Sequence, residues 1–362
     1  MNRHEKPFIA LAVIWLCAGC ADTQSQPAFV LPSEDAGQAL RHCGQGGNGM
    51  LWAFSGGVQR LTCWGWDGLA VRRQTQIDVP EVWWLGAVGD WAYIATRGDE
   101  RGVLPALVAQ QLVDKKVLAE WPVDDGWYCN GITVSRSGKW VTAKVVEDAV
   151  CRPAGFDWNN FRLRVAVIET TTWKLTWAPM LEGERNAGAD IRGVVPSDDG
   201  AYVCVAGWYN GAALLDVANH KVLWEKKPKG CIGMVDAAFA PDGKVVYVGD
   251  ASGAVYVMDV ATGDVLGEWW ANDRGESVYG WRISTVAASA DGRFVAAGTG
   301  PAGVVYVWRS DTGQRVRTLN HGGSTILVMT FSPDSKALAS LAAGQIKVWT
   351  MPDLTASARS SR

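Results

Sequence analysis

Histidine is nearly absent: there are four in 362 residues. That leaves little for an imidazole-based metal site, and few bases for a Ser-His-Asp arrangement. Charge is also sparse. Only 20% of residues are charged, the net charge is -3, and the 34 basic residues are scattered rather than striped, so no nucleic-acid partner is expected. The eight cysteines include no CxxC or CxxCH spacing, which argues against a zinc or haem site. No calcium-loop spacing occurs. Two stretches match G-x-G-x-x-G, Gly44–Gly49 and Gly298–Gly303, but neither follows a strand and opens a helix, the context that phosphate binding requires. His220 and His321 fall in a turn and a linker and read as solvated. The carboxylate pairs Asp124-Asp125, Asp198-Asp199 and Glu182/Glu184 likewise read as solvated loop charge. No catalytic residue, metal or cofactor is therefore expected.

What is abundant is apolar: 48% hydrophobic residues, 41 glycines and 20 tryptophans. The stretch Met234–Trp269 shows how they are used. Period-two alternation, a turn at Pro241-Asp242-Gly243, the β-branched run Val245–Val248, a turn at Ser252-Gly253, the strand Ala254–Val260 and a turn at Ala261-Thr262-Gly263 make four short strands. Weaker copies recur. First-to-second-strand turns are Arg136-Ser137-Gly138, Asp198-Asp199-Gly200, Pro241-Asp242-Gly243, Ala290-Asp291-Gly292 and Pro333-Asp334-Ser335, with steps of 62, 43, 49 and 43 residues. Second-to-third-strand turns are read at Asp67-Gly68, Asn210-Gly211, Ser252-Gly253, Ala302-Gly303 and Ala343-Gly344. Fourth strands repeat as KVLAEW (Lys116–Trp121), KLTW (Lys174–Trp177), KVLWEK (Lys221–Lys226) and DVLGEW (Asp264–Trp269). A period of 40–50 residues with four strands per unit predicts an all-β, seven-bladed β-propeller of four-stranded antiparallel blades. The blades span roughly 44–79, 80–124, 127–182, 187–229, 231–272, 281–322 and 325–351. The seventh supplies three strands, and an N-terminal strand at Gln38–His42 closes the ring. The insertion Glu147–Phe161 explains the long step.

The N-terminus reads as an address. A short polar segment with Arg3 and Lys6 precedes the apolar run Pro7–Leu16, too short to span a bilayer comfortably, and then Cys17-Ala18-Gly19-Cys20. Small residues before Cys20 resemble the lipobox of bacterial lipoproteins, with Cys17 where leucine is usual. That resemblance implies a signal peptide over 1–19, lipidation of Cys20 (palmitate included), and a periplasm-facing anchor. Ala21 in place of aspartate implies the outer membrane. Ordinary secretion with cleavage near Ala21 is the alternative. Residues 20–36 read as a tether, 37–354 as the propeller and 355–362 as a disordered tail. In an oxidising compartment the even set Cys43, Cys63, Cys129, Cys151, Cys204 and Cys231 suggests disulfides, with nearest neighbours as the expected pairing; buried free thiols are the alternative.

The repeats resemble the WD40 family and its YVTN-type relatives. FSPDSKALAS (Phe331–Ser340), VYVW (Val305–Trp308), IKVW (Ile346–Trp349) and SDTG (Ser310–Gly313) carry the likeness over residues 187–351. The family's Asp after tryptophan is replaced by Arg309 and Thr350, and Gly-His appears only as His321-Gly322. The family's Asp-His-Ser-Trp network is therefore not expected. TTTWKLTW (Thr170–Trp177) and VANHKVLW (Val217–Trp224) also resemble the tryptophan-docking repeats of quinoprotein-type propellers. The likeness implies a protein-binding scaffold, a monomeric ring docking other envelope proteins through one loop face. Reading the links and second-to-third-strand hairpins onto that face gathers Trp66, Trp127, Tyr128, Trp158, Trp208, Tyr209, Trp270, Tyr279 and Trp281 there. A lactonase-like or quinoprotein-type propeller enzyme and a carbohydrate-binding propeller are the alternatives.

Overall fold

The computed structural model describes residues 27, 29–32, 40–45, 49–55, 60–67, 70–78, 84–88, 91–95, 106–111, 114–124, 127–147, 160–184, 191–207, 211–272 and 282–352. Its strands form seven antiparallel sheets. The innermost strands are Leu40–Gln45, Trp84–Val88, Trp127–Val134, Ile191–Pro196, Met234–Phe239, Ile283–Ala288 and Val328–Phe331. Each touches the next, and the last touches the first, so the sheets stand as blades around a closed ring.

The apolar alternation explains why. Among the described residues the core divides into seven clusters, each shared by two neighbouring blades. In blade one, Leu51 and Ala53 face blade seven while Trp52 and Phe54 face blade two. In blade five, Val246, Val248 and Tyr256 pack on blade four, and Tyr247, Val255 and Val257 on blade six. Middle strands thus bury both faces and read as continuous apolar runs. The outer strands Lys221–Lys226 and Val265–Trp270 are largely exposed.

The turns repeat a hydrogen-bond device. In blades four, six and seven a serine hydroxyl donates to an aspartate two residues on and accepts the backbone N–H five residues on. The triples are Ser197/Asp199/Tyr202, Ser289/Asp291/Phe294 and Ser332/Asp334/Ala337. Third-to-fourth-strand turns place Lys115, Trp173, His220, Gly263 and Gly313 at positive φ. Glycine at two of these serves docking. The Trp224 indole of blade four donates to Val260 O at 2.8 Å and lies where a Cβ on Gly263 would come within 2.6 Å. Trp269 of blade five occupies the matching place over Gly313. Two successive blade interfaces thus seat an outer-strand tryptophan on the third-to-fourth-strand turn of the next blade. At blade three, Trp173 itself holds the left-handed position and packs on Trp91 and Tyr93, with ring centroids 5.4 and 6.2 Å away.

Three expectations are corrected. The ring is closed by Phe29–Pro32, which pairs with Gln345–Val348, and not by Gln38–His42. Leu40–Gln45 is instead the inner strand of blade one, paired with Leu51–Ser55. Flanking prolines make Phe29–Pro32 read as tether, yet proline is compatible with an edge strand. The shift moves blade one by one strand: Asp67 ends its third strand, so the adjoining turn leads to the fourth. Second, Cys63, Cys129, Cys204 and Cys231 are buried free thiols, so none of the three expected disulfides is formed. Cys43 and Cys63 lie on strands separated by a third, about 9–10 Å apart, beyond the ~7 Å that a disulfide spans. Cys231 Sγ lies 3.3 Å from Asp250 Oδ1, and Cys129 Sγ lies 3.6 Å from Gly131 O. Cysteine count therefore lends no support to an oxidising compartment. Third, His321 is buried, not solvated. Its Nε2 lies 3.1 Å from Ser340 O, its ring meets Trp349 edge-on, and Trp349 Nε1 donates to Ser340 Oγ at 2.9 Å. Ser340 thus meets His321 through its backbone carbonyl and Trp349 through its hydroxyl. His220 is exposed in its turn, as expected. The signal peptide, Cys20, Cys151 and the tail 355–362 lie outside the described residues.

Replacing Trp224 by alanine is expected to cost about 3–5 kcal/mol, because a buried indole is lost at a blade interface. Trp224→Phe, which keeps most packing but leaves Val260 O without its donor, should cost about 1–2 kcal/mol. Urea unfolding followed by circular dichroism measures both.

Candidate binding face and central channel

The loop-face residues divide sharply. Trp158, Trp208, Tyr209, Tyr279 and Trp281 lie outside the described residues, as does most of the insertion Glu147–Phe161; Tyr128 is described in its backbone, within Trp127–Val134. Trp127 opens the inner strand of blade three and is half-buried. Trp270 ends the outer strand of blade five and packs on the core between blades four and five. Trp66 stands at the opposite rim. Its indole closes over Gly49, beside Pro333 of the first turn of blade seven, as the one-strand shift of blade one requires.

Blade three departs from the common plan at the expected rim. Its first two strands have eight residues and its third has ten, against six in blades four to six. Two extra residues raise that wall by about 7 Å. Its outer strand is split into Leu175–Trp177 and Leu181–Glu184, both paired with Asn160–Glu169. The Arg164 guanidinium lies 4.1 Å from the Trp177 ring centroid and 5.6 Å from that of Trp127, and bonds Asp124 at 2.6 Å. Cation–π contact and an ion pair therefore hold a planar cation between two indoles.

The inner strands surround a cavity of about 550 Å³. Five of them carry a register shift, at Leu40/His42, Cys129/Gly131, Ile191/Gly193, Met234/Asp236 and Ile283/Thr285. Such bulges re-aim side chains, here around the lumen. At the first-turn end, Arg136 of blade three reaches across. Its Nε donates to Asp198 of blade four at 2.9 Å, its Nη2 donates to the same carboxylate, and its Nη1 donates to Ser289 O of blade six at 3.3 Å. Asp198 also accepts the Ser137 N–H at 2.9 Å. Asp198 is thus an ion-paired channel residue rather than solvated loop charge.

Nearer the other rim, Asp236 follows the bulge of blade five and lines the same lumen. Burial pushes its carboxyl up to about 6, against the opposing pull of the Val286 and Ala237 N–H groups and the Thr285 hydroxyl. Val286 N lies 2.9 Å away. Cys204 is pushed up to about 12 by burial, with the Asp236 charge as a second cause. Among the described residues no group of three or more His, Cys, Asp or Glu is arranged to hold a metal. Neither Arg136 nor Asp236 stands out in sequence reasoning based on turns. The one visible sign is a carboxylate inside the apolar inner strand MVDAAF (Met234–Phe239).

No protein-family model matches the chain, and no curated protein matches it. By structure it is similar to a chain of the crystal structure of the mitotic checkpoint complex. The TM-score is 0.64 at 12% identity, over 98% of this chain and 100% of that one. Such low identity shows the fold alone. The chain is a seven-bladed β-propeller.

Asp236 gives a pH signature. Its folded carboxyl (about 6) is raised above the ordinary ~3.9, so the folded chain holds this proton more tightly than the unfolded chain. The stability it contributes is full below about pH 4 and is lost as pH rises through about 6. Urea midpoints should therefore fall by the equivalent of about 2 kcal/mol more in the wild type than in Asp236→Asn over that range. Parallel pH curves would remove the assignment.

Proposed function

We propose that the chain is a non-catalytic binding scaffold, a lipid-anchored propeller that faces the periplasm from the bacterial outer membrane and docks other envelope proteins through its aromatic rim. The observation that carries the docking reading is blade three. Its raised wall, and the Arg164 side chain held between Trp127 and Trp177, supply the tryptophan and arginine chemistry that dominates protein interfaces. The rim is rigid because its strands are fixed by the ring, which suits binding without rearrangement. A likeness in fold to a chain of a multiprotein complex is consistent with this use, as an analogy of fold only. Anchoring rests on the lipobox-like Ala18-Gly19-Cys20.

Two measurements test the two parts. Crosslinking in membrane extract should recover a defined partner set with the wild type and lose members of it with Trp127→Ala, Trp158→Ala or Trp281→Ala. An unchanged set in all three would mean the wrong rim. Separately, Cys20→Ser should abolish palmitate labelling and move the protein from the membrane to the soluble fraction; continued labelling would overturn the anchor.

A further inference from the structure

We infer that the central channel is a binding site for the cationic end of an amine or guanidine, with the Asp236 carboxylate as its counter-ion. The inference goes beyond rim docking and does not rest on it.

The cavity has the volume of a small-ligand site, about 550 Å³. One end is crossed by Arg136, tied to blades four and six. Asp236 lines the cavity toward the other end, in the third position of its inner strand. It is held by the Val286 N–H at 2.9 Å, by the Ala237 N–H and by the Thr285 hydroxyl, which orient the carboxylate and carry no charge. Of the two arginines among the described residues that line the lumen, Arg136 is committed to Asp198. Arg192 lies on the neighbouring inner strand and is not among the groups that act on Asp236. The half-buried carboxylate therefore stands in the lumen wall with no cation acting on it among the described residues, and its raised pKa reflects its partial loss of water. A bound ammonium or guanidinium would balance it at short range in a low-dielectric channel. A metal ion is disfavoured as the occupant by chemistry: one carboxylate and one hydroxyl are few hard ligands for calcium or magnesium. The cation can come from a free small molecule or from a Lys or Arg side chain on a partner that projects into the lumen.

Calorimetric titration of the full chain at about pH 7.5 with agmatine and with the peptide Ac-Gly-Arg-Gly-NH2 tests this. At least one should bind, and bind at least tenfold more weakly to Asp236→Asn. Asp242→Asn, which removes an exposed turn carboxylate, should bind as the wild type does. The citrulline analogue of the peptide should not bind. Binding by agmatine alone indicates a soluble amine as the natural occupant, binding by the peptide alone indicates a partner's side chain, and binding by both supports the shared chemistry. Binding of neither, equal affinity in Asp236→Asn, or equal affinity for citrulline would overturn the site. Should Asp236→Asn fail to fold, the wild type is titrated at about pH 5. With the carboxyl titrating near 6, affinity should drop about tenfold; unchanged affinity overturns the site. Cys204, a titratable group on which Asp236 acts, stays protonated across this range. These readouts do not involve the rim tryptophans, so failure of rim docking leaves them interpretable.

Discussion

The structure depends on one constraint: among the described residues, the middle strands of the blades are mostly apolar on both faces. Val246 and Tyr247 are adjacent in sequence and point to opposite neighbours. A single four-stranded sheet of this kind would leave one apolar face in water, at about 1.5–3 kcal/mol for each large side chain. Stacking removes that penalty for every blade except the first and last, and closing the ring removes it for those. Hence the last sheet takes its outer strand from the other end of the chain, where Phe29–Pro32 pairs with Gln345–Val348. Closure joins the termini of the ring by backbone hydrogen bonds and leaves only outer strands exposed as edges, several of which carry lysine.

Given that ring, the turns and docked indoles set its spacing. The serine–aspartate pairs fix the first turn of three blades by local hydrogen bonds. Gly263 and Gly313 are needed where φ is positive and an indole lies on the backbone. At the same turn position in blades three and four, Trp173 and His220 hold the positive φ with larger side chains. Trp224 and Trp269 each join packing to a specific place on the next blade, so they fix not only that blades touch but how they are registered.

The parts of the fold legible in the sequence are those set by local periodicity and turn chemistry. Val245–Val248, Pro241-Asp242-Gly243 and the KVLWEK-type strands sit where their alternation places them. Errors arise where a contact is remote. Phe29–Pro32 has too few residues to show a period, and its partner lies more than three hundred residues away. Missing it shifts blade one by a strand and puts Trp66 on the wrong rim. His321 looks solvated because its partners, Ser340 and Trp349, belong to later strands. The disulfide expectation counted thiols without knowing that Cys43 and Cys63 are separated by a whole strand. Of the rim aromatics, Trp127 and Trp270 are placed on described strands near the expected face; the chain pattern had no means of revealing that Trp177 joins Trp127 around Arg164.

The same constraint indicates where function can reside. Positions that pack blade on blade are mostly committed to apolar side chains; Lys144 of blade three, buried there, carries its ammonium to the Ile191 carbonyl of blade four. Free choice remains at the rim and on the lumen side of the inner strands, where bulges turn side chains out of the inter-blade packing. Both departures from the repeat occur in those places. Blade three rises above its neighbours at the rim, and Asp236 interrupts an apolar inner strand at the lumen. A carboxylate partly removed from water costs stability unless it is balanced, so its place in an otherwise regular blade points to recognition rather than packing. Arg136 shows the contrasting case. Its charge in the same channel is neutralised within the chain by Asp198, and its bonds to blades four and six brace the ring. One charge in the lumen thus holds the scaffold together, while the other remains for something outside the chain to meet.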